Sequence, residues 1–105
     1  MTGTLQQFKA KLFRSLSHEA RVRILEELRS GERSVGELQE ALGVSGSNAS
    51  QHLAVLRGEG IVTSRREGTT VLYEVADPRI YNLLDDARAI FEQRLAVSSA
   101  MLREG

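Results

Sequence analysis

The chain has 105 residues, of which 41% are apolar and 27% are charged, and 14 basic residues balance 14 acidic ones. These values are typical of one small globular domain, and the zero net charge by itself gives little support for a polyanionic partner. The absence of cysteine excludes disulfides and thiolate metal sites, and no apolar run approaches the length of a membrane span.

Two amphipathic helices are predicted first. Apolar residues recur at three- and four-residue steps over residues 5–16, with basic residues between them, which is typical of a helix with one buried face. Ser17 is predicted to cap a second helix over about 18–30, and Gly31 to end it. His18, in the first turn of that helix, is expected at the surface.

A helix-turn-helix is predicted next. Ser34 caps a short third helix that runs to residue 42, and Gly43 ends it. Ser45 then caps a fourth helix over about 46–59. Two helices joined by so short a glycine-containing turn match the helix-turn-helix pattern.

A β-hairpin and a long helix complete the chain. The hairpin is predicted over residues 61–75, because two segments rich in β-branched residues flank the turn at residues 67–69. The last helix is predicted over about 78–102, with Pro78 at its first position. Its apolar residues step by four and three, close to a heptad: Ile80, Leu84, Ala87, Phe91 and Leu95.

The fourth helix has two contrasting faces. On a helical wheel Ala49, Leu53 and Leu56 share one narrow arc, which predicts a core face. The opposite side carries short polar or small side chains, as a helix needs if it lies deep in a DNA major groove. A solvated face is the alternative, and for His52 a phosphate contact and a packing role are both open. The predicted DNA contacts are Ser47, Asn48, Ser50, Gln51 and His52.

The hairpin supports a DNA-binding interpretation. Two adjacent arginines near its tip can enter a minor groove or bind phosphates. A helix-turn-helix followed by such a hairpin is a winged helix-turn-helix. The predicted wing contacts are Arg65, Arg66, Thr69 and Thr70.

In the order and spacing of three sequence blocks, the chain resembles the arsenic-repressor-type (ArsR) family of bacterial winged-helix transcriptional regulators. The resemblance runs from about Phe8 to about Ala87, and it implies a DNA-binding regulator. The blocks are LFRSLSHEARVRILEEL, SVGELQEALGVSGSNASQHLAVLRGEGIV and SRREGTTVLYEV.

The chain departs from the family pattern at its sensor sites. Where many members carry a cysteine pair in the third helix, this chain has the segment SVGEL. A glutamine that often follows the cap of the fourth helix is Gly46 here. Other members bind zinc between their last helices, and one carboxylate among the matching positions cannot hold a tetrahedral zinc. Those positions are Asp77, Arg79, Ile90 and Gln93.

A homodimer is expected, because a three-helix core and a hairpin cannot cover the apolar seams of both the first and the last helix. A two-fold dimer would present its recognition helices to successive major-groove faces roughly 34 Å apart. The alternative is a monomer whose last helix folds back. The predicted interface residues are Leu5, Phe8, Leu12, Leu84, Ala87, Phe91 and Leu95.

The sequence therefore predicts one mainly α domain over residues 1–105, a dimeric winged helix-turn-helix with a small β-hairpin. The expected function is a cytoplasmic, nucleoid-associated repressor, not an enzyme, that binds an inverted repeat in double-stranded DNA without cofactor, metal or membrane. The alternatives are a metal-responsive ArsR-type sensor with non-cysteine ligands and a winged-helix protein-interaction module. The sequence does not identify the effector.

Overall fold

A computed structural model describes residues 3–104 of the chain. Within these residues the fold is mainly helical with one small antiparallel sheet, which confirms the predicted winged helix-turn-helix. A single 3-10 turn, Leu28–Ser30, follows the second helix. The elements are α1 (Leu5–Ser15), α2 (Glu19–Glu27), β1 (Arg33–Ser34), α3 (Val35–Leu42), α4 (Gly46–Gly58), β2 (Val62–Glu67), β3 (Thr70–Val75) and α5 (Ile80–Glu104).

The α2 helix is capped by His18, so the prediction of Ser17 as its N-cap was wrong. The Nδ1 atom of His18 accepts a hydrogen bond from the backbone N–H of Ala20 at 3.3 Å. The hydroxyl of Ser17 instead donates to the carbonyl of Arg14 at 2.6 Å. The Ser17 hydroxyl is thus used at the end of α1, where the backbone N–H of Ser17 also bonds to the Arg14 carbonyl, and His18 serves as the cap of α2.

The sheet has three strands in the order β1-β3-β2, where the sequence predicted only a hairpin. Arg33 and Ser34 pair with β3, and two residues are too short a strand to produce a recognisable alternation. The hairpin pairing extends to Glu67 opposite Thr70, so two residues rather than three form the turn. Gly68, at the first turn position, has a φ of 64°, which a two-residue hairpin turn favours there.

The α5 helix begins at Ile80, two residues later than predicted. Pro78 lies in the preceding turn, where the N–H groups of Ile80 and Tyr81 bond to carbonyls three residues earlier. This 3-10 type of bonding delays the first α-helical turn. At 25 residues α5 is about 37 Å long, so it continues well past the first turns that pack on the body.

The core fixes α4 and the beginning of α5 on the body of the protein. Leu53 and Leu56 of α4 are fully buried against apolar side chains of α2, α3 and β2. Ile80 joins the same core, and the hydroxyl of Tyr81 donates to the carbonyl of Leu25 at 2.7 Å. The relative position of the two helices is therefore set by packing on the core and not by the hairpin that connects them.

Candidate nucleic-acid interface

The α4 helix presents a polar face to solvent on the side opposite the core. Ala49, Leu53 and Leu56 are fully buried on the other side. The exposed face ends in small residues, Ala54 and Gly58, and a Cβ added at Gly58 would meet no atom within 4 Å. A surface could therefore approach this helix closely. The predicted contacts on the exposed face are Ser47, Asn48, Ser50 and Gln51.

Gln39 of α3 lies directly beside the start of α4, a position that the sequence reasoning missed. A Cβ at Gly46 would lie 2.7 Å from Nε2 of Gln39, so the glycine allows the amide to occupy this space. The amide of Gln39 therefore lies next to Gly46, the first residue of α4. No pattern in a single sequence links two residues seven positions apart across a helix-turn-helix.

His52 and His18 lie together, although the sequence placed them in separate contexts. Their ring centroids are 4.2 Å apart at an angle of 55°, and His52 is half-buried. Burial lowers the pKa of His52 below its usual value, and the nearby positive charges of His18 and Arg21 lower it further. His52 is therefore largely neutral at neutral pH in the free protein.

The two arginines of the wing differ in their partners. Arg65 donates through Nε and Nη2 to the two carboxylate oxygens of Glu32, at 2.6 and 2.8 Å, and also pairs with Glu67 at 3.0 Å. The hydrogen bonds from Arg65 lower the pKa of Glu32. Arg66 is exposed and forms no ion pair with any residue from 3 to 104. Thr69 and Thr70 are exposed at the tip.

Exposed apolar side chains follow α1 and α5. Leu12 and Leu84, two of the predicted interface residues, pack partly against the protomer's own core, whereas Ala87 is exposed. Four other predicted residues are between 53% and 65% exposed: Leu5, Phe8, Phe91 and Leu95. The sequence reasoning missed five further exposed apolar residues: Phe13 of α1, and Ile90, Val97, Met101 and Leu102 of α5. Extending the heptad pattern of α5 to its end would have predicted some of the α5 residues.

Two apolar grooves open on this α1–α5 face. The first, of about 400 Å³, lies between Phe8, Leu12 and Ile80. The second, of about 470 Å³, lies between Phe13, Leu84 and Phe91. Apolar surface of this extent is rarely left open to water in a soluble protein.

Two of the positions that the resemblance matches to a zinc site, Asp77 and Arg79, form an ion pair with each other. Asp77 accepts from Nη2 of Arg79 at 2.6 Å and from its backbone N–H at 2.9 Å, and these bonds lower the pKa of Asp77 to about 2. Among the described residues, no group of three or more His, Cys, Asp or Glu side chains is placed to hold a metal ion. In the same part of the chain no helix is long and apolar enough to cross a membrane.

Comparison with known proteins identifies similar sequences and folds. Residues 18–64 match the model of the bacterial regulatory proteins of the arsR family. The HTH-type transcriptional regulator Rv0081 of Mycobacterium tuberculosis is 44% identical over 101 residues, which cover 95% of this chain and 89% of the relative. A biofilm growth-associated repressor of Agrobacterium fabrum is 40% identical over 82 residues, 78% of this chain and 70% of the relative.

Two solved structures extend the likeness to the fold. The crystal structure of Rv0081 superposes with a TM-score of 0.79 and covers 90% of this chain and 96% of that one, at 44% identity. A homodimeric winged helix-turn-helix DNA-binding domain from Mycobacterium bovis, solved by NMR, has a TM-score of 0.77 at 30% identity. That match covers 90% of this chain and 94% of the other.

Proposed function

Because the chain belongs to the ArsR family of bacterial transcriptional regulators, we propose that it is a repressor that binds an inverted-repeat operator as a homodimer. The observation that carries the proposal is the exposed face of α4, which is polar at its beginning, small at its end and fixed by a buried opposite face. A rigid helix of this kind fits the width of a major groove.

The polar residues at the start of α4 make the base contacts. Gln51 can donate to and accept from adenine in a bidentate pair, while Ser47 and Asn48 reach base edges or phosphates. Ala54 and Gly58, which have little or no side chain, let the rest of the helix lie close to the duplex. The wing reaches the neighbouring backbone through Arg66 and the threonines at its tip.

A second copy of the chain covers the α1–α5 face. The two apolar grooves and the exposed Phe8, Phe91 and Leu95 would be buried by a two-fold partner, which removes an unfavourable apolar surface. The homodimeric M. bovis domain, which is similar in sequence and fold, supports this arrangement. The two α4 helices of the dimer would then read half-sites about one helical turn apart.

Selection of sequences from a random duplex pool by the purified protein tests the proposal. The enriched sequences should contain an inverted repeat whose half-site centres are separated by about 10 base pairs or a multiple of that distance. Light scattering on the same protein should give the mass of two chains. Failure to enrich any sequence, or enrichment of single half-sites by a monomer, would refute it.

Arg66 contributes a phosphate contact, whereas Arg65 mainly fixes the wing. We expect Arg66→Ala to reduce the slope of log K against log salt by about 0.9 for each subunit, because one phosphate contact is lost. Arg65→Ala should weaken binding with a smaller change in slope, since its charge is already paired with Glu32. Fluorescence anisotropy over a salt series measures both. Equal slope changes in the two variants would contradict the division of roles.

Metal does not control this regulator through the positions that match the family's zinc site. The carboxylate of Asp77 is held by Arg79, and Ile90 offers no ligand atom. We expect calorimetric titration of the dimer with zinc to show no stoichiometric binding near neutral pH. A saturable isotherm that Asp77→Ala abolishes would show that the Asp77–Arg79 pair opens to admit a metal.

A further inference from the structure

A cluster of three basic side chains, His18, Arg21 and His52, lies beside the exposed face of α4 and forms no ion pair within residues 3–104. We propose that His18, Arg21 and His52 form a site for a phosphodiester of duplex DNA, and that its occupation is coupled to the uptake of one proton by His52. The inference rests on the proposed DNA-binding function and adds a contact and a pH dependence to it.

The position of the pair places it at the edge of the DNA-binding surface. His18 begins α2 and is exposed, while His52 lies on α4 with its ring centroid 4.2 Å from that of His18. Asn48 is exposed and lies four residues before His52, so the two share one side of α4. A strand whose bases meet Asn48 therefore brings its backbone close to the two imidazoles.

Within residues 3–104 no carboxylate forms an ion pair with this cluster, although the exposed Glu19 directly follows His18. Arg21 forms no ion pair within residues 3–104, and its Nε is buried without a hydrogen-bond partner. The other elements packed against α4 are α3 and β2. Among the described residues, no charged group of α2, α3 or β2 bonds to either histidine; these groups are Glu19, Arg21, Arg23, Glu26, Glu27, Glu37, Glu40, Arg65, Arg66 and Glu67.

The two histidines are expected to act differently, because a ring nitrogen of His18 accepts a hydrogen bond from the protein whereas those of His52 do not within the described residues. Nδ1 of His18 accepts from the N–H of Ala20, so protonating this atom would remove the cap of α2. His18 therefore offers its other ring nitrogen, Nε2, as a hydrogen-bond donor. His52 has no such bond within the described residues, so it is the imidazole that can take a proton from solvent.

A phosphate bound at this site would favour the protonated form of His52, which is disfavoured in the free protein. Burial and the positive charges of His18 and Arg21 hold the pKa of His52 below its usual value in the free protein. A phosphodiester adds the missing negative charge, favours the imidazolium and so raises the pKa of His52. Acidification through the lowered pKa of His52 therefore destabilises the free fold but strengthens the complex with DNA.

Binding of a labelled mixed-sequence duplex of about 30 base pairs tests the site, because phosphate contacts do not require an operator. At constant ionic strength, affinity should rise about threefold or more between roughly pH 8 and pH 6, as expected when one imidazole pKa rises by about one unit. The chain has only two histidines, so their resonances can be followed separately by NMR. The pKa of His52 should rise on adding the duplex.

Two single substitutions separate the contribution of each histidine to DNA binding and to its pH dependence. His52→Gln should abolish the gain on acidification, whereas His18→Asn keeps an N-cap acceptor for α2 and should weaken binding at both pH values. The double variant has no histidine and gives the pH dependence of all other groups. Circular dichroism at both pH values checks that each variant is folded.

Three results would count against the proposal in different ways. An unchanged pH dependence in His52→Gln, or an unchanged pKa of His52 with duplex, would overturn the site. If millimolar inorganic phosphate shifted the His52 resonance as strongly as the duplex, the cluster would be a general anion site and not a DNA contact. If the wild-type protein bound neither this duplex nor any sequence of the random pool, the proposed function itself would be refuted.

Discussion

Replacing Phe91 and Leu95 with glutamate should convert the dimer to monomers and lower operator affinity by about 100-fold or more. Both side chains are more than half exposed in the protomer, and burying such a side chain contributes about 1.5–3 kcal/mol. A monomer also loses the advantage of holding two half-sites at once, which is worth about 10²–10⁴ in affinity. Light scattering and fluorescence anisotropy measure the two effects.

A matched control adds the same charges to the opposite side of α5. Ala89 and Ala96 are exposed and lie about 160° and 140° around the helix from Phe91 respectively. Replacing both of them with glutamate should leave the protein dimeric and able to bind. If the Phe91 and Leu95 variant stayed dimeric, the exposed apolar residues of α5 would not form the interface.

Ala54→Glu should lower operator affinity by about 100-fold with little change in melting temperature. Ala54 is exposed on the face of α4 that we propose lies against the duplex, so the new carboxylate would stand among phosphates. Like charges about 4 Å apart repel by about 1–4 kcal/mol between bulk water and a protein surface, and the dimer carries the substitution twice. Anisotropy gives the affinity, and thermal denaturation shows whether the fold is kept.

Ala10→Glu is the control for this substitution. Ala10 is an exposed alanine of α1, about 200° around its helix from Phe8 and Leu12, so it adds the same charge far from the recognition face. The control should bind like the wild type. Affinity of Ala54→Glu within about threefold of the wild type would show that α4 does not enter the groove, because a threefold change is well below the repulsion expected there.

The helical part of the fold could be predicted because its signals are local. Ser34 and Glu37 form a capping box within four residues, and Gly43 adopts the left-handed conformation that ends α3. The buried side of α4 follows from spacing alone, since Leu53 and Leu56 recur at a helical step. Each of these features depends on residues within one or two turns of one another.

The candidate site was only partly predictable, because several of its contacts join distant segments. The sequence placed Arg65 and Arg66 together at the wing. Arg65 pairs with Glu32, which lies 33 residues earlier in the chain, whereas Arg66 forms no ion pair within residues 3–104. Neither the contact between His18 and His52 nor the Gln39 amide beside Gly46 has a periodic signal.

Local chemistry in the sequence determined the order of the elements, the buried and exposed sides of α4, and the apolar seams that call for a partner. Only the tertiary structure decided that Arg65 is paired with Glu32 and that β1 completes the sheet. It also decided that His18 and His52 lie together beside the exposed face of α4. The physical reason is range: caps and periodicity act over a few residues, whereas ion pairs and ring contacts depend on how separate elements pack around one core.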